Sequence, residues 1–120
     1  MIPRKNNIPK KYFPTVLKGF SINSVYFRVV ISNTIKDQNP HIAVVISKKY
    51  VKLSTKRNFF KRVISQKILE KLSLFPPKTM VFLIQKKVDY EKNKKGRSLA
   101  AHQIGLDCEQ VITSIIKKYE

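Results

Sequence analysis

The sequence predicts an α+β fold: a small mixed sheet with a short N-terminal helix, a long central basic helix and a C-terminal helix. An alternating segment at 24–33 has the period of a strand. Two apolar stretches, 41–47 and 79–87, are bounded by turn residues, and the residues between them follow a helical period. With 120 residues, 42% of them hydrophobic, the chain suits a single domain with one core.

The N-terminal segment, residues 1–11, is basic and rich in Pro and Asn, so we expect a flexible arm. A short helix follows it, because Pro14 suits a first helical position and Gly19 suits a helix end. The apolar positions of this helix are Phe13, Val16, Leu17 and Phe20.

Alternation defines the first predicted strand, which presents Val25, Phe27, Val29 and Ile31 on one face and Tyr26, Arg28, Val30 and Ser32 on the other. Residues 36–40 form a turn. The stretch 41–47 is apolar on both faces, which predicts a central strand. The last strand, 79–87, follows two prolines.

The long helix is predicted over residues 55–72. At 100° per residue, its N-terminal half separates into two arcs. One arc is apolar, with Phe59, Phe60, Val63 and Ile64, and the opposite arc is basic and polar, with Arg57, Asn58, Lys61, Arg62 and Ser65. We expect the helix over residues 55–72 and the C-terminal helix to lie on one side of the sheet. The basic arc then faces solvent.

The C-terminal region begins with a polar stretch, and we expect an exposed loop or insertion over residues 89–105. Asp107 followed three residues later by Gln110 is typical of a helix N-terminus. The last helix is therefore predicted to begin there, with Val111, Ile112, Ile115 and Ile116 on its apolar face.

The net charge of +18 is unevenly distributed. Residues 1–88 contain 19 Lys and Arg and two acids, a net charge of +17, whereas residues 89–120 have a net charge of +1. So large an imbalance destabilises the folded chain by self-repulsion, which indicates a polyanionic partner for the first three quarters of the chain.

The charge is densest between residues 48 and 62, and no acid lies between Asp37 and Glu70. Two of these cations occupy the first turn of the long helix, where the helix dipole favours acids. Such a surface suits phosphates, with Asn58 able to contact a sugar or a base edge. A solvated basic face is the simpler alternative. The predicted RNA-binding residues are Lys48, Lys49, Lys52, Lys56, Arg57, Asn58, Lys61 and Arg62.

A second pattern combines aromatic residues with cations near the first helix and first strand. Single-stranded nucleic acid binds where aromatic rings stack on its bases and cations neutralise its backbone. The alternative is that Phe13, Phe20 and Phe27 fill a core, which makes Tyr26 and Arg28 the better binding candidates. The residues concerned are Tyr12, Phe13, Phe20, Tyr26 and Phe27, among Lys10, Lys11, Lys18 and Arg28.

Catalytic chemistry is not indicated by the sequence. Two histidines and one cysteine do not suggest a metal site, no acids are paired, and the three glycines are scattered. We therefore expect no catalytic residue, no metal ligand and no small-molecule cofactor in the chain. The lone Cys108 fits a reducing cytosol, and no apolar run could span a membrane, so we expect a cytoplasmic protein without a membrane partner.

Residues 45–66 resemble the signature of the bacterial ribonuclease P protein component. In that family a strand ends in Ser-Lys-Lys, and a helix opens with an Arg-Asn-Arg-x-x-Lys-Arg-like motif. Here Ser47-Lys48-Lys49, Arg57-Asn58 and Lys61-Arg62 match it, while Phe59 and Ser65 stand where family arginines are common. The resemblance implies a ribosomal protein S5 domain 2-like fold with a left-handed βαβ crossover, an exception to the usual handedness.

The resemblance also implies a function: a non-catalytic protein subunit that binds a catalytic RNA and the 5′ leader of precursor tRNA. Hydrolysis would be carried by Mg²⁺ bound mainly by the RNA, and the protein would be monomeric outside the complex. The basic run would dock on the catalytic RNA. The single-stranded leader would lie in a cleft between the first helix and the sheet, near Phe13, Leu17, Tyr26, Phe27, Arg28 and Val30.

Two alternatives remain open on the residues alone. A small rRNA-binding ribosomal protein without catalytic role fits the size, the charge and the basic arm equally well. A general single-strand chaperone would also combine cations with aromatic residues, but it would show no preference for a leader-bearing tRNA.

Overall fold

A computed structural model describes residues 6–33, 39–87 and 94–119. Short apolar stretches form the strands, and the buried residues of the two long helices recur at helical spacing. In chain order the elements are a 3₁₀ turn (Lys10–Tyr12), α1 (Phe13–Val16), β1 (Phe20–Asn23), β2 (Phe27–Ser32), β3 (His41–Val45), α2 (Ser54–Glu70), a second 3₁₀ turn (Leu72–Leu74), β4 (Thr79–Ile84) and α3 (Lys94–Lys118).

In the described part of the chain, four strands form one mixed sheet in the order β1-β2-β4-β3. β1 pairs antiparallel with β2, and β2 pairs antiparallel with β4. β3 and β4 are parallel, and α2 connects them, so β3-α2-β4 is a βαβ unit. The mixed α+β fold is confirmed, whereas the left-handed crossover stays a prediction from the resemblance.

β3 is an edge strand, and the prediction of a central position for it was wrong. The central strands are β2 and β4. β3 is apolar on both faces because both faces of the sheet are covered: Ile42 joins the larger core, and Ala43 and Val45 pack against the smaller one.

The helices occupy both faces of the sheet instead of one side. α2 and α3 cover one face, where Phe27, Phe82 and Ile104 contribute to the larger core. The N-terminal segment covers the other face, where Ile8 and Val16 pack on Val81 of β4.

β1 was not predicted, and Phe20 belongs to this strand instead of the first helix. A tight turn separates β1 from β2. There the backbone N–H of Ser24 donates to the carbonyl of Phe27 at 2.8 Å, and the N–H of Phe27 donates to Ser24 Oγ at 3.1 Å. Gly19 precedes β1 because a Cβ there would lie 2.3 Å from the carbonyl oxygen of Ile31, so only glycine lets the chain pass so close to β2.

α3 begins at Lys94, so the predicted loop over 89–105 is helical from residue 94 onward, and residues 88–93 lie outside the described residues. Asp107 is consequently not an N-cap. It lies within the helix, is buried, and accepts hydrogen bonds from Ser24 Oγ at 2.7 Å and from the backbone N–H of Tyr26 at 2.9 Å. Its carboxylate therefore ties α3 to the β1–β2 turn.

The predicted N-terminal arm is packed against the sheet from residue 6 onward, and residues 1–5 lie outside the described residues. Asn6 Nδ2 donates to the carbonyl of Pro40 at 2.6 Å, His41 Nδ1 lies 3.0 Å from the carbonyl oxygen of Asn7, and Ile8 is buried. Among the described helices, none has both the length and the apolar character that a membrane span requires.

Candidate nucleic-acid interface

The basic loop before α2 is a fixed turn with its lysines outward. Ser47 organises it, because its Oγ accepts from the N–H of Lys49 at 3.0 Å and its carbonyl accepts from the N–H groups of Tyr50 and Val51, both at 3.1 Å. Val51 is fully buried and anchors the loop in the larger core. The exposed side chains of this loop include Lys48, Lys49 and Lys52.

Arg57 joins this loop to the first turn of α2. Its Nη1 donates to the carbonyl of Val51 at 3.0 Å and to that of Lys52 at 2.7 Å. The helix has no acid in its first turn and no side-chain cap at Leu53. The two hydrogen bonds explain how a cation is tolerated there, because they bring carbonyl dipoles to a charge that the helix dipole disfavours.

The outward arc of α2 borders a groove of about 610 Å³. Asn58, Lys61 and Arg62 are exposed along this groove. Its other wall includes Ile42, Ala43 and Val44, three consecutive residues of β3, so the groove follows the outer edge of the sheet. Lys56 is half-buried. Two cationic side chains and one amide side chain therefore line a groove that runs along the edge strand β3.

Phe59 lies on the inner side of α2. Its ring packs edge-on against Phe60 at a centroid distance of 5.3 Å and contacts the larger core, together with Ile64 and Ile68 of the same helix. The residue that replaces a family arginine is therefore part of the packing and leaves the basic arc intact.

Among the residues of the predicted leader cleft whose side chains are described, two are exposed. Leu17 is 43% exposed, and Arg28 points into solvent from β2. Val30 is fully buried beneath the N-terminal segment. Of Phe13 only the backbone is described, so the prediction for its side chain lies outside the described part of the structure.

Phe27 does not fit the predicted leader cleft. It is 0% exposed, and its ring meets Phe82 edge-on at a centroid distance of 6.3 Å under α2 and α3. Tyr26 also faces the α3 side, where its hydroxyl donates to Gln103 Oε1 at 3.1 Å. Alternation grouped Tyr26 with Arg28 and Val30, which was wrong for Tyr26 because it precedes β2 and packs against the larger core. Alternation also could not indicate which face the N-terminal segment covers.

Residues that sequence reasoning missed line up beside Arg28 on the face of the N-terminal segment. Arg28 is level with Leu83 of β4, and Leu83 is level with Val45 of β3. Leu83 and Val45 are half-buried and pack against the smaller core, as does Tyr12. The indication in the sequence was that β3 and β4 are each apolar on both faces. This became informative only once the strand order was known.

Electrostatically, the basic surface is distinct from the α2–α3 interface. Within the described chain, Lys67 Nζ of α2 forms an ion pair with Glu109 Oε1 of α3 at 2.7 Å. The hydrogen bond to Glu109 raises the pKa of Lys67.

Burial raises the pKa of the Cys108 thiol to about 12, so the thiol is unreactive at neutral pH. No group of three His, Cys, Asp or Glu among the described residues could hold a metal ion.

Fold and surface together define a class: a small basic α+β protein whose cations are concentrated on one helix and its leading loop, a surface suited to a polyanion. Comparison with known proteins gives the family. The ribonuclease P family model matches residues 4–103, so the chain belongs to the ribonuclease P protein family. The resemblance in residues 45–66 is confirmed. The function is that of the family, the protein subunit of ribonuclease P in tRNA processing, and no comparison supports the ribosomal alternative.

Solved structures agree with this fold. A Staphylococcus aureus RNase P protein mutant with defective mRNA degradation activity superimposes with a TM-score of 0.76 at 21% identity, covering 95% of this chain and 90% of that one. Another S. aureus RNase P protein gives 0.72 at 19% identity, with coverages of 97% and 93%. The Thermotoga maritima protein in complex with 1-(4-fluorophenyl)-2-thiourea gives 0.60 at 19%, with coverages of 82% and 94%. No curated protein sequence matches the chain significantly.

Proposed function

We propose that the basic loop and the outward arc of α2 dock the catalytic RNA of ribonuclease P. The groove between α2 and the edge of β3 carries this proposal, because Asn58, Lys61 and Arg62 border it together. Lys48, Lys49 and Lys52 extend the same charge along the loop. Arginine offers a planar fork for phosphate oxygens, lysine a mobile charge, and asparagine a donor and acceptor for a ribose or a base.

The 5′ leader of precursor tRNA, in the same proposal, lies on the sheet face of the N-terminal segment. Arg28 supplies a charge for a phosphate, and Leu83 and Val45 supply an apolar floor for bases. Tyr12 borders this floor, and Lys11 Nζ lies 5.1 Å from the ring centroid of Tyr12. Aromatic and apolar surfaces beside cations suit a single strand.

Hydrolysis is assigned to Mg²⁺ held mainly by the RNA. The described residues offer no cluster of carboxylates or imidazoles, so they do not fit a metal ion held by the protein. The chain instead neutralises phosphates and positions two RNA strands. It acts as a monomer outside the complex and works in the cytoplasm.

The test is multiple-turnover cleavage of a 5′-labelled precursor tRNA at low Mg²⁺, by the catalytic RNA with and without the protein. We expect the protein to stimulate cleavage at the mature 5′ end, because its cations replace part of the Mg²⁺ that screens RNA–RNA repulsion. Tight RNA binding without any stimulation would contradict the proposal.

The docking surface is tested by the double variant Lys61→Gln/Arg62→Gln. Losing two charge-assisted contacts should weaken binding to the catalytic RNA by roughly tenfold to a hundredfold. Lys71→Gln/Lys117→Gln is the matched control, because it removes the same charge from exposed lysines beside the α2–α3 groove. Equal losses in the two double variants would mean that only total charge matters.

A further inference from the structure

One corner of the sheet holds a cluster of aromatic rings and lysines that neither RNA surface includes. We call it the corner cluster, and its members are Phe20, Lys78, Lys118 and Tyr119. Lys118 Nζ lies 4.5 Å from the ring centroid of Phe20 and 5.9 Å from that of Tyr119, and Lys78 Nζ lies 5.1 Å from the Tyr119 centroid. Phe20 opens β1, whereas the other three come from the start of β4 and the end of α3.

Phe20, the stacking ring of the corner cluster, is remote from the docking surface on α2. Phe20 lies on β1 and the docking groove follows β3, at opposite edges of the sheet. Three strand spacings separate these edges, which is about 14 Å. A contact at this corner would therefore be additional to the contacts along the groove.

Phe20 and the two lysines are poorly explained by packing alone. Phe20 is 54% exposed, although its strand neighbour Ile31 is buried. Lys78 Nζ donates to Asn33 Oδ1 at 2.8 Å. No described carboxylate lies within salt-bridge distance of either ammonium group. Within the described part of the chain, two cations beside an accessible ring thus lack an anionic partner at a stacking surface.

We propose that the corner cluster binds an unpaired nucleotide of an RNA strand. The base stacks on Phe20, and Lys118 and Lys78 neutralise the neighbouring phosphates. An acidic peptide would satisfy the lysines, but it would give no reason for the exposed ring. The inference rests on the proposed function only in that the partner is RNA.

Fluorescence provides a direct test, because the chain contains no tryptophan. Phe20→Trp places a single indole in the corner cluster and preserves an aromatic surface. Titration of the full-length variant with an eight-nucleotide oligoadenylate should quench this fluorescence in a saturable way. The matched control is Leu74→Trp, at a residue that is 57% exposed and lies on the α2–α3 side, and its fluorescence should stay unchanged.

Adding Lys118→Gln to Phe20→Trp should raise the midpoint of quenching severalfold and lower the salt dependence of binding by roughly 0.7 in log–log slope. Unquenched Trp at residue 20, while anisotropy of the labelled oligonucleotide reports binding, would overturn the proposal. If Phe20→Trp does not fold, Phe20→Leu replaces it. Loss of stacking should then weaken oligonucleotide binding by roughly tenfold, and unchanged affinity would overturn the proposal.

Failure of this inference is distinguishable from failure of the proposed function. If the protein stimulates precursor tRNA cleavage but the fluorescence of Phe20→Trp is not quenched, only the corner-cluster proposal is wrong. Quenching without stimulated cleavage would remove the subunit mechanism and leave the nucleotide site in place.

Discussion

At the scale of single residues, Arg57 combines charge with a structural task. Its guanidinium bonds to the carbonyls of Val51 and Lys52, so its orientation is set by the loop before any RNA arrives. These bonds fix the end of the loop at exposed Lys52, whereas the Ser47 hydrogen bonds fix the turn that presents Lys48 and Lys49. We therefore regard Arg57 as a positioning residue for the docking surface.

Arg57→Lys should weaken binding to the catalytic RNA by roughly fivefold or more, because an ammonium group keeps the charge but cannot hold two carbonyls in the same geometry. Amide hydrogen exchange at residues 51–53 should accelerate in the same variant. Lys71→Arg is the charge-preserving control at the exposed C-terminal end of the same helix and should bind nearly normally. Full binding by Arg57→Lys with unchanged exchange would assign Arg57 a simple phosphate contact.

Cys108 gives a prediction of pH dependence. Burial raises its thiol pKa to about 12, whereas an unfolded thiol titrates near 9.0. The contribution of the buried neutral thiol to the free energy of unfolding is fully present below the unfolded pKa. It is lost as the pH rises towards the folded pKa, by at most about 1.4 kcal/mol per pH unit. Unfolding in urea from pH 8 to 10.5 should therefore show a steeper decline for the native chain than for Cys108→Ala. Parallel declines would contradict the assignment.

At the scale of elements, α3 is held to the β1–β2 turn by one carboxylate. Asp107 receives two donors from that turn, and Gln85 Nε2 donates to the carbonyl of Ser24 from the β4 side at 2.8 Å. The turn therefore has fixed partners on α3 and after β4. Since Phe20 opens β1 and Lys118 ends α3, this tie also supports the corner cluster.

Asp107→Ala should lower the free energy of unfolding by roughly 1–3 kcal/mol, because it leaves Ser24 Oγ and the Tyr26 N–H without their acceptor in a partly buried site. Glu109→Ala is the matched control on the same helix. It removes an exposed ion pair with Lys67 and should cost less than about 1 kcal/mol. Equal costs in urea denaturation would argue against the tie.

Sequence periodicity identified β2, β3, β4 and α2, because each has a strong apolar pattern of its own. β1 escaped notice because Phe20–Asn23 is short and half-exposed, so it has little alternation. The start of α3 escaped because its first residues are polar and Asp107 with Gln110 imitates a helix N-terminus. The basic run was located by charge density alone, whereas the inward bonds of Arg57 and the burial of Phe27 depend on contacts between distant segments.

At the scale of the whole molecule, the excess positive charge acts on folding and on binding with opposite signs. The net charge of +18 repels itself in the folded state, and salt screens this repulsion. Salt also competes with RNA for the same cations, because binding releases counterions from the RNA.

Raising NaCl from about 50 to about 500 mM should therefore raise the Tm of the free protein and weaken its binding to RNA. The log–log slope of the RNA affinity should be roughly −0.7 to −0.9 per phosphate neutralised. Differential scanning fluorimetry and filter binding on one preparation would measure both. A Tm that falls with salt would show that specific ion pairs, and not net repulsion, dominate the stability.

The outer position of β3 has a consequence for the newly made chain. A strand with a neighbour on one side only presents unpaired backbone groups, and two such edges can join and begin aggregation. Here Lys61 and Arg62 flank that edge. Two copies that approach along β3 bring like charges together, so the residues that we propose as the RNA-docking surface also oppose self-association of the free protein.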